Sequence, residues 1–448
     1  MSTSPGHPAL ARRLGVLDAT VIGVGSMVGA GVFVAFAPAA GFAGPWLPLA
    51  LLLAAVVAWC NATSTAQLAA VHPASGGAYV YANRQLGPWP GFVAGWGFVT
   101  GKTASAAAMA LTFGLYAAEL TGADDAGARL LAVGAVLALT AVNLGGVTRT
   151  ARLTKLLVAP VLVVLLALVV LLFAGTGPGA GGAGSGASGS GGASAGNDGA
   201  AWTGAVWDGT GWGVLPAAGT LFFAFAGYAR VATMGEEVRD PARTIPRAVL
   251  GALAFTLLLY GLLGLGLLRF LGVDRLAAST APLLAVVREA GWAAGPATAG
   301  AVVVTAAAAL ATLGALLALV AGISRTALAM SRERDLPGPL GAVSEKHRVP
   351  WAAELAVAGL VVVLVLAGDV RTVIGFSSFG VLVYYALANL SALTLEQRPG
   401  WAPRAVNGLG LLGCLVLAFT LPWQSVLTML GVFAVGLTGR ALVLARRR

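Results

Sequence analysis

Three glycines fall within seven residues in the stretch Gly25-Ser26-Met27-Val28-Gly29-Ala30-Gly31-Val32-Phe33, inside an otherwise apolar run. Each glycine weakens a helix by about 1 kcal/mol relative to alanine, so a helix built from this run breaks readily. At the middle of a bilayer, such a break bares backbone N–H groups at the start of the outer half-helix. Those groups and the helix dipole together suit a carboxylate. The spacing of Gly25 and Gly29 is also that of a plain contact between closely packed helices. A second stretch, Phe222-Phe223-Ala224-Phe225-Ala226-Gly227-Tyr228-Ala229-Arg230, places aromatics just before a glycine and a polar aromatic just after it. A break at Gly227 would free carbonyls for an ammonium group, with aromatic faces able to cover an apolar or cationic side chain. For any single phenylalanine, ordinary packing is an equal explanation.

Lys102 is the other residue with chemical potential. Counted from Gly91 at 1.5 Å per residue, it lies about 17 Å into its apolar run, near the bilayer centre. An ammonium there costs about 2.5 to 3.5 kcal/mol or more, so it faces protein rather than lipid. Two roles fit: a proton acceptor tuned by burial, or a fixed charge that pins neighbouring helix ends where a sodium ion would otherwise sit. Glu236, Glu237, Arg239, Asp240, Arg243 and Arg247 cluster after the sixth apolar run, and Arg325, Arg332 and Arg334 follow the eighth. Ion pairs between Glu236, Glu237, Arg239 and Arg325 can close an inner gate; solvated loop charge is the plainer reading.

The elements that must position these residues are membrane helices. Of 448 residues 58% are hydrophobic and 10% charged, against roughly 25% charged in a soluble domain. Apolar runs fall at 17–38, 46–70, 90–119, 128–147, 153–174, 212–234, 247–271, 296–324, 351–368, 371–394, 405–421 and 424–443. Each is long enough, or nearly so, to span. With the N-terminus inside, 21 of the 27 Lys and Arg residues fall on the cytoplasmic side and five outside, which predicts a multi-pass protein of the inner (cytoplasmic) membrane with both termini cytoplasmic. The formal charge of +10 therefore reads as topology and not as a nucleic-acid surface. Arg12 and Arg13 precede a full-length span without a convincing cleavage site, so the first run reads as a retained helix. Cys60 and Cys414 lie in apolar runs outside any CxxC or Cys/His cluster, which predicts neither disulfide nor metal site.

The order and spacing of several motifs resemble the amino acid, polyamine and organocation (APC) superfamily of permeases, in its amino acid permease branch. The residues that carry the likeness are Gly25 to Phe33, then Ser75-Gly76-Gly77-Ala78-Tyr79-Val80-Tyr81-Ala82, then Gly235-Glu236-Glu237-Val238-Arg239-Asp240-Pro241-Ala242-Arg243-Thr244-Ile245-Pro246, and Ser324-Arg325-Thr326 with Asp335-Leu336-Pro337. They span residues 15 to about 400. The resemblance implies an all-α polytopic fold of about 12 transmembrane helices, a LeuT-type 5+5 inverted repeat with broken first and sixth helices, followed by two further helices. Carried over by position, the substrate site comprises Ser26, Met27, Gly29, Ala30 and Gly31 with Phe223, Ala224, Ala226, Gly227 and Tyr228. Ala30 stands where a hydroxyl side chain is common in the family, and Arg230 near a position that is often acidic.

The expected domains are a cytoplasmic tail (1–16), a first five-helix repeat (17–174), a flexible external Gly/Ala/Ser-rich loop (175–211), a second repeat (212–394), and two helices with a basic tail (395–448). The expected activity is secondary transport of an amino acid or related amine by alternating access, with proton coupling or exchange. Beyond Thr305 and Thr312, the eighth run offers few hydroxyls at its centre for sodium. No GxxxxGK[ST], HExxH or GxSxG motif is present, so neither a cofactor nor enzyme chemistry is expected. Besides the substrate, the expected partners are protons and lipid. A sensor that binds without transporting is the alternative, and a channel the third choice.

Overall fold

The computed structural model describes residues 15–72, 76–174, 211–232, 238–290, 299–399 and 401–445. The predicted external loop lies almost wholly outside them, as do Ser75, Glu236 and Glu237. Helices form nearly all of the regular structure described.

The first crossing is assembled from α1 (Val16–Met27), α2 (Ala30–Val34) and α3 (Phe36–Ala43), and α4 (Leu47–Val71) returns. The short α5 (Ala78–Leu86) precedes α6 (Pro88–Thr121), α7 (Asp125–Leu144) and α8 (Val147–Ala174). A second block opens with α9 (Val214–Phe225) and α10 (Ala229–Ala232), then α11 (Pro241–Ala278), the short α12 (Pro282–Glu289), α13 (Ala299–Arg332), α14 (Trp351–Ala367) and α15 (Val370–Leu393). Next come α16 (Arg404–Phe419) and α17 (Trp423–Ala445). Nine stretches among the described residues are long and apolar enough to cross a bilayer, and α14 and α16 are apolar but shorter. With α6, at 34 residues, these make the twelve crossings expected from the apolar runs.

Boundaries follow local chemistry. Gly272 takes φ 76°, a conformation that only glycine adopts cheaply, and bends α11 near the end of the seventh apolar run. The narrow gap at Gly368 and Asp369 is a true helix boundary, because the Asp369 carboxylate accepts from the N–H groups of Arg371 (2.9 Å) and Thr372 (3.0 Å). On α14, Ala353, Val357 and Val361 are buried while Leu360, Val363 and Leu366 are more than half exposed. A helix apolar on both its packed and its outward faces belongs in lipid.

The central helix is α6, which packs along α13 and α15. The approach to α15 depends on small residues: a Cβ at Gly101 would come within 3.1 Å of Val381 N, and one at Gly97 within 2.9 Å of Gly380 O. That contact carries the neighbouring Lys102 into the interior. Polar side chains join α4, α15 and α16. Ser64 Oγ donates to Asn389 Oδ1 at 2.6 Å, and Asn407 Nδ2 donates to Ser64 Oγ at 2.6 Å and to Gln67 Oε1 at 2.9 Å.

At the face where α1 begins, Arg440 of α17 forms an ion pair with Asp335 at 2.8 Å, the two side chains 9% and 6% exposed. The guanidinium also lies 4.8 Å from the ring centres of Trp89 and Phe92, and Tyr79 Oη donates to Asp335 Oδ2 at 2.9 Å. Burial pushes the Asp335 carboxyl above its ordinary value, and the Tyr79 hydrogen bond and the Arg440 charge pull it back. The cluster joins α5, α6, α17 and the segment after α13. Removing one partner of a buried pair strands the other charge at a cost of about 3 to 5 kcal/mol. Asp335→Ala should therefore lower the thermal unfolding midpoint in detergent markedly, and the added loss on combining it with Arg440→Ala should be small. Full additivity of the two losses would show that the pair does not act as a unit.

Candidate functional site

The glycine-rich stretch interrupts the first crossing as the sequence predicts. α1 ends at Met27, Val28 takes φ −75°, ψ 85°, and Gly29 takes φ −140°, ψ −145° before α2 begins at Ala30. Helical bonds then continue through Ala35, whose N–H donates to Gly31 O, so the outer half runs on into α3. The sixth crossing is interrupted at the expected Gly227, in a milder form. Between α9 and α10 the chain tightens into a single 3-10 turn, Ala226–Tyr228, while Phe225, Ala226 and Ala229 remain near helical values. Close packing against the first crossing accounts for this milder form. A Cβ on Gly227 would lie 2.2 Å from Ser26 O, and one on Gly31 would lie 2.5 Å from Ala224 Cα. The two interruptions therefore abut, and the structure gathers Ser26, Met27, Gly29, Ala30, Gly31, Phe223, Ala224, Ala226, Gly227 and Tyr228 into one place.

The backbone groups released there have partners. Tyr260 Oη of α11 donates to Met27 O at 2.8 Å. Lys102 Nζ, 4% exposed, donates to Ala226 O at 2.8 Å, and Tyr385 Oη of α15 reaches the same oxygen at 3.3 Å. A carbonyl freed at the second interruption is thus held by the protein's own ammonium. Among the described residues no carboxylate forms an ion pair with Lys102. Ala30 N donates to the thioether Sδ of Met109 on α6 at 2.9 Å. Aromatic rings wall the region: Tyr228 lies 5.1 Å from Tyr385 and Phe225 lies 5.4 Å from Tyr260, centre to centre.

Ser26, Gly227, Lys102, Arg230, Phe98 and Gly322 are among the residues around a cavity of about 20 Å³. That is room for about one water molecule. Its chemistry is cationic on one side and apolar on the other. Of the residues assigned to an inner gate, Arg239 and Arg325 lie in the described part of the structure. Glu236 and Glu237 lie outside it, Arg239 is exposed, and Arg325 acts electrostatically on Glu354 of α14. Among the described residues no group of His, Cys, Asp and Glu is arranged to hold a metal ion.

An amino acid permease profile matches residues 14–436. The chain belongs to the amino acid permease family. An uncharacterized transporter of Mycobacterium tuberculosis (strain ATCC 25618 / H37Rv) is 51% identical over 442 residues, covering 98% of this permease and 93% of the relative. The branched-chain amino acid permease of Bacillus subtilis (strain 168) is 27% identical over 98% of this chain and 94% of its own. Cationic amino acid transporter 2, vacuolar, of Arabidopsis thaliana is 28% identical over 88% of this chain and 61% of its own. This permease is thus a multi-pass membrane transporter, and the likeness read from its motifs holds over nearly its whole length.

Sequence reasoning missed Tyr260, Tyr385, Met109 and Glu354. The two tyrosines carried a usable signal, since a hydroxyl deep in an apolar run needs a hydrogen-bond partner. Glu354, 2% exposed, is the one acidic residue in its run. Met109 carried none, because methionine is a normal core residue. Tyr260→Phe should leave Met27 O without its side-chain donor and lower stability by about 1 to 3 kcal/mol. Gly227→Ala should cost at least as much by forcing the two crossings apart. Thermal unfolding of the purified permease checks both, and a wild-type midpoint for Gly227→Ala would refute the contact between the interruptions.

Proposed function

We propose that this permease is a secondary carrier for neutral amino acids or related amines in the cytoplasmic membrane, working by alternating access with proton coupling or exchange. The observation that carries the reading is the meeting of two interrupted helices at the centre of the bundle. Backbone groups there that side chains now hold, the Ala30 N–H on the first crossing and the Ala226 carbonyl on the sixth, are complementary to the two charged ends of an amino acid. In this reading the carboxylate lies against Gly29, Ala30 and Gly31, and the amine and side chain meet Met27, Phe223, Ala224, Ala226, Gly227 and Tyr228. Lys102 and Arg230 both line the cavity, and a positive charge that faces the seat disfavours a substrate with a cationic side chain. The relative named for branched-chain amino acids agrees with a neutral substrate, and the one named a cationic amino acid transporter does not.

Lys102 serves this site as a positioning charge. It holds Ala226 O in place at the 3-10 turn, as a bound cation would, and it is the group through which proton binding would reach the sixth crossing. The excess of Lys and Arg on one set of loops supports cytoplasmic termini. It also supports an inner-face position for Arg239, Glu236, Glu237 and Arg325, where ion pairs can form and break during the cycle.

Reconstitution into proteoliposomes tests the reading. A labelled panel of neutral, acidic and basic amino acids and simple amines is offered under an acid-outside, sodium or counter-substrate gradient. Saturable uptake or counterflow of a neutral amino acid is expected, with Lys102→Ala slower by about tenfold or more, the effect of losing one strong hydrogen bond. Neither uptake nor exchange for any compound in the panel would contradict the proposal.

A further inference from the structure

The cavity lined by Ser26, Gly227 and Lys102 holds about one water molecule, and the adjoining start of α2 is covered by Met109. At the position proposed for the carboxylate, the backbone donor is already covered by a side chain. Met109 is the one large side chain in Ser105-Ala106-Ala107-Ala108-Met109-Ala110, and it is 6% exposed. Its Sδ accepts from Ala30 N at 2.9 Å, the backbone donor at the start of the outer half of the first crossing. A Cβ built on Gly29 would meet the same sulfur at 2.9 Å, so the thioether lies against Gly29 and Ala30.

This placement suits a side chain that comes and goes. A thioether is a weak acceptor and a carboxylate a strong one, so a substrate outcompetes Met109 for Ala30 N–H. Methionine is unbranched and turns about three bonds, so it can fold away at small cost. Lys102 lies two turns away on the same helix, with its Nζ on Ala226 O, so α6 touches both interruptions at once.

We infer that Met109 occupies the substrate's place in the empty carrier, capping Ala30 N–H through its sulfur, and is displaced when an amino acid binds. Met109 is thereby a specificity-determining residue: the volume it vacates sets the largest side chain accepted, and the bond it surrenders sets the affinity. The inference rests on the reading of the two helix interruptions as the substrate seat.

Initial rates in proteoliposomes, measured for glycine, alanine, valine, leucine and phenylalanine in wild type, Met109→Leu and Met109→Ala, test it. Met109→Ala is expected to raise kcat/KM for the bulkiest substrate relative to alanine by about tenfold or more, the usual effect of changing a pocket by a few methylenes. Met109→Leu keeps the bulk but leaves Ala30 N–H without an acceptor until a carboxylate arrives. It is expected to lower KM about threefold or more with little change in kcat. Met109→Leu also guards against an alanine variant that is merely unstable. If wild type transports and both variants keep its KM and its size preference, this inference falls while the proposed function stands. If wild type transports none of the panel, both fall.

Discussion

A hydrocarbon interior offers no water to an unpaired N–H or C=O, so a chain that interrupts a helix at membrane depth must bring its own partners. Two interruptions occur side by side in this permease, and much of the surrounding architecture answers that constraint. Tyr260 covers Met27 O, Lys102 and Tyr385 cover Ala226 O, and Met109 covers Ala30 N. The partners come from α6, α11 and α15, so the constraint at one point organises helices from both blocks of the chain. The small-residue contact of Gly97 and Gly101 with Gly380 belongs to the same problem, because it brings α6 near enough for Lys102 to reach.

The same constraint fits the proposed use of this site by a carrier. Partners that are side chains can be exchanged for groups of a substrate, whereas backbone ladders cannot. An amino acid brings a carboxylate and an ammonium, the two groups that interrupted helices can receive. Lys102 is held by a neutral carbonyl, and nothing in the described surroundings cancels its charge by direct pairing. The Asp335–Arg440 pair, by contrast, is matched charge for charge and wedged against Trp89 and Phe92. That pairing suits an anchor for α17 more than a moving part.

What was legible in the sequence depended on whether the cause was local. Gly25, Gly29 and Gly31 mark the first interruption because glycine weakens a helix wherever it stands. The depth of Lys102 follows from counting residues. Its partner does not, since Ala226 is 124 positions away and accepts through a carbonyl that any residue would supply. Gly227 marked the break in the sixth crossing, but not its form, a 3-10 turn at Ala226–Tyr228 packed against Ser26 O, which is a tertiary contact. Arg440 resembled an ordinary topology charge at the end of a span, and only the fold reveals that it is buried against Asp335. Glu354 and Arg325 were likewise assigned apart, although α13 and α14 bring them within electrostatic reach.

The central claim, that the two interruptions form the substrate seat, is tested most directly by photolabelling the reconstituted permease with a diazirine-bearing aliphatic amino acid and mapping the adducts by peptide mass spectrometry. The account predicts adducts on residues 26–31, on Met109 and on residues 223–228, all suppressed by an excess of unlabelled leucine. Leucine-sensitive adducts confined to other parts of the chain would contradict it.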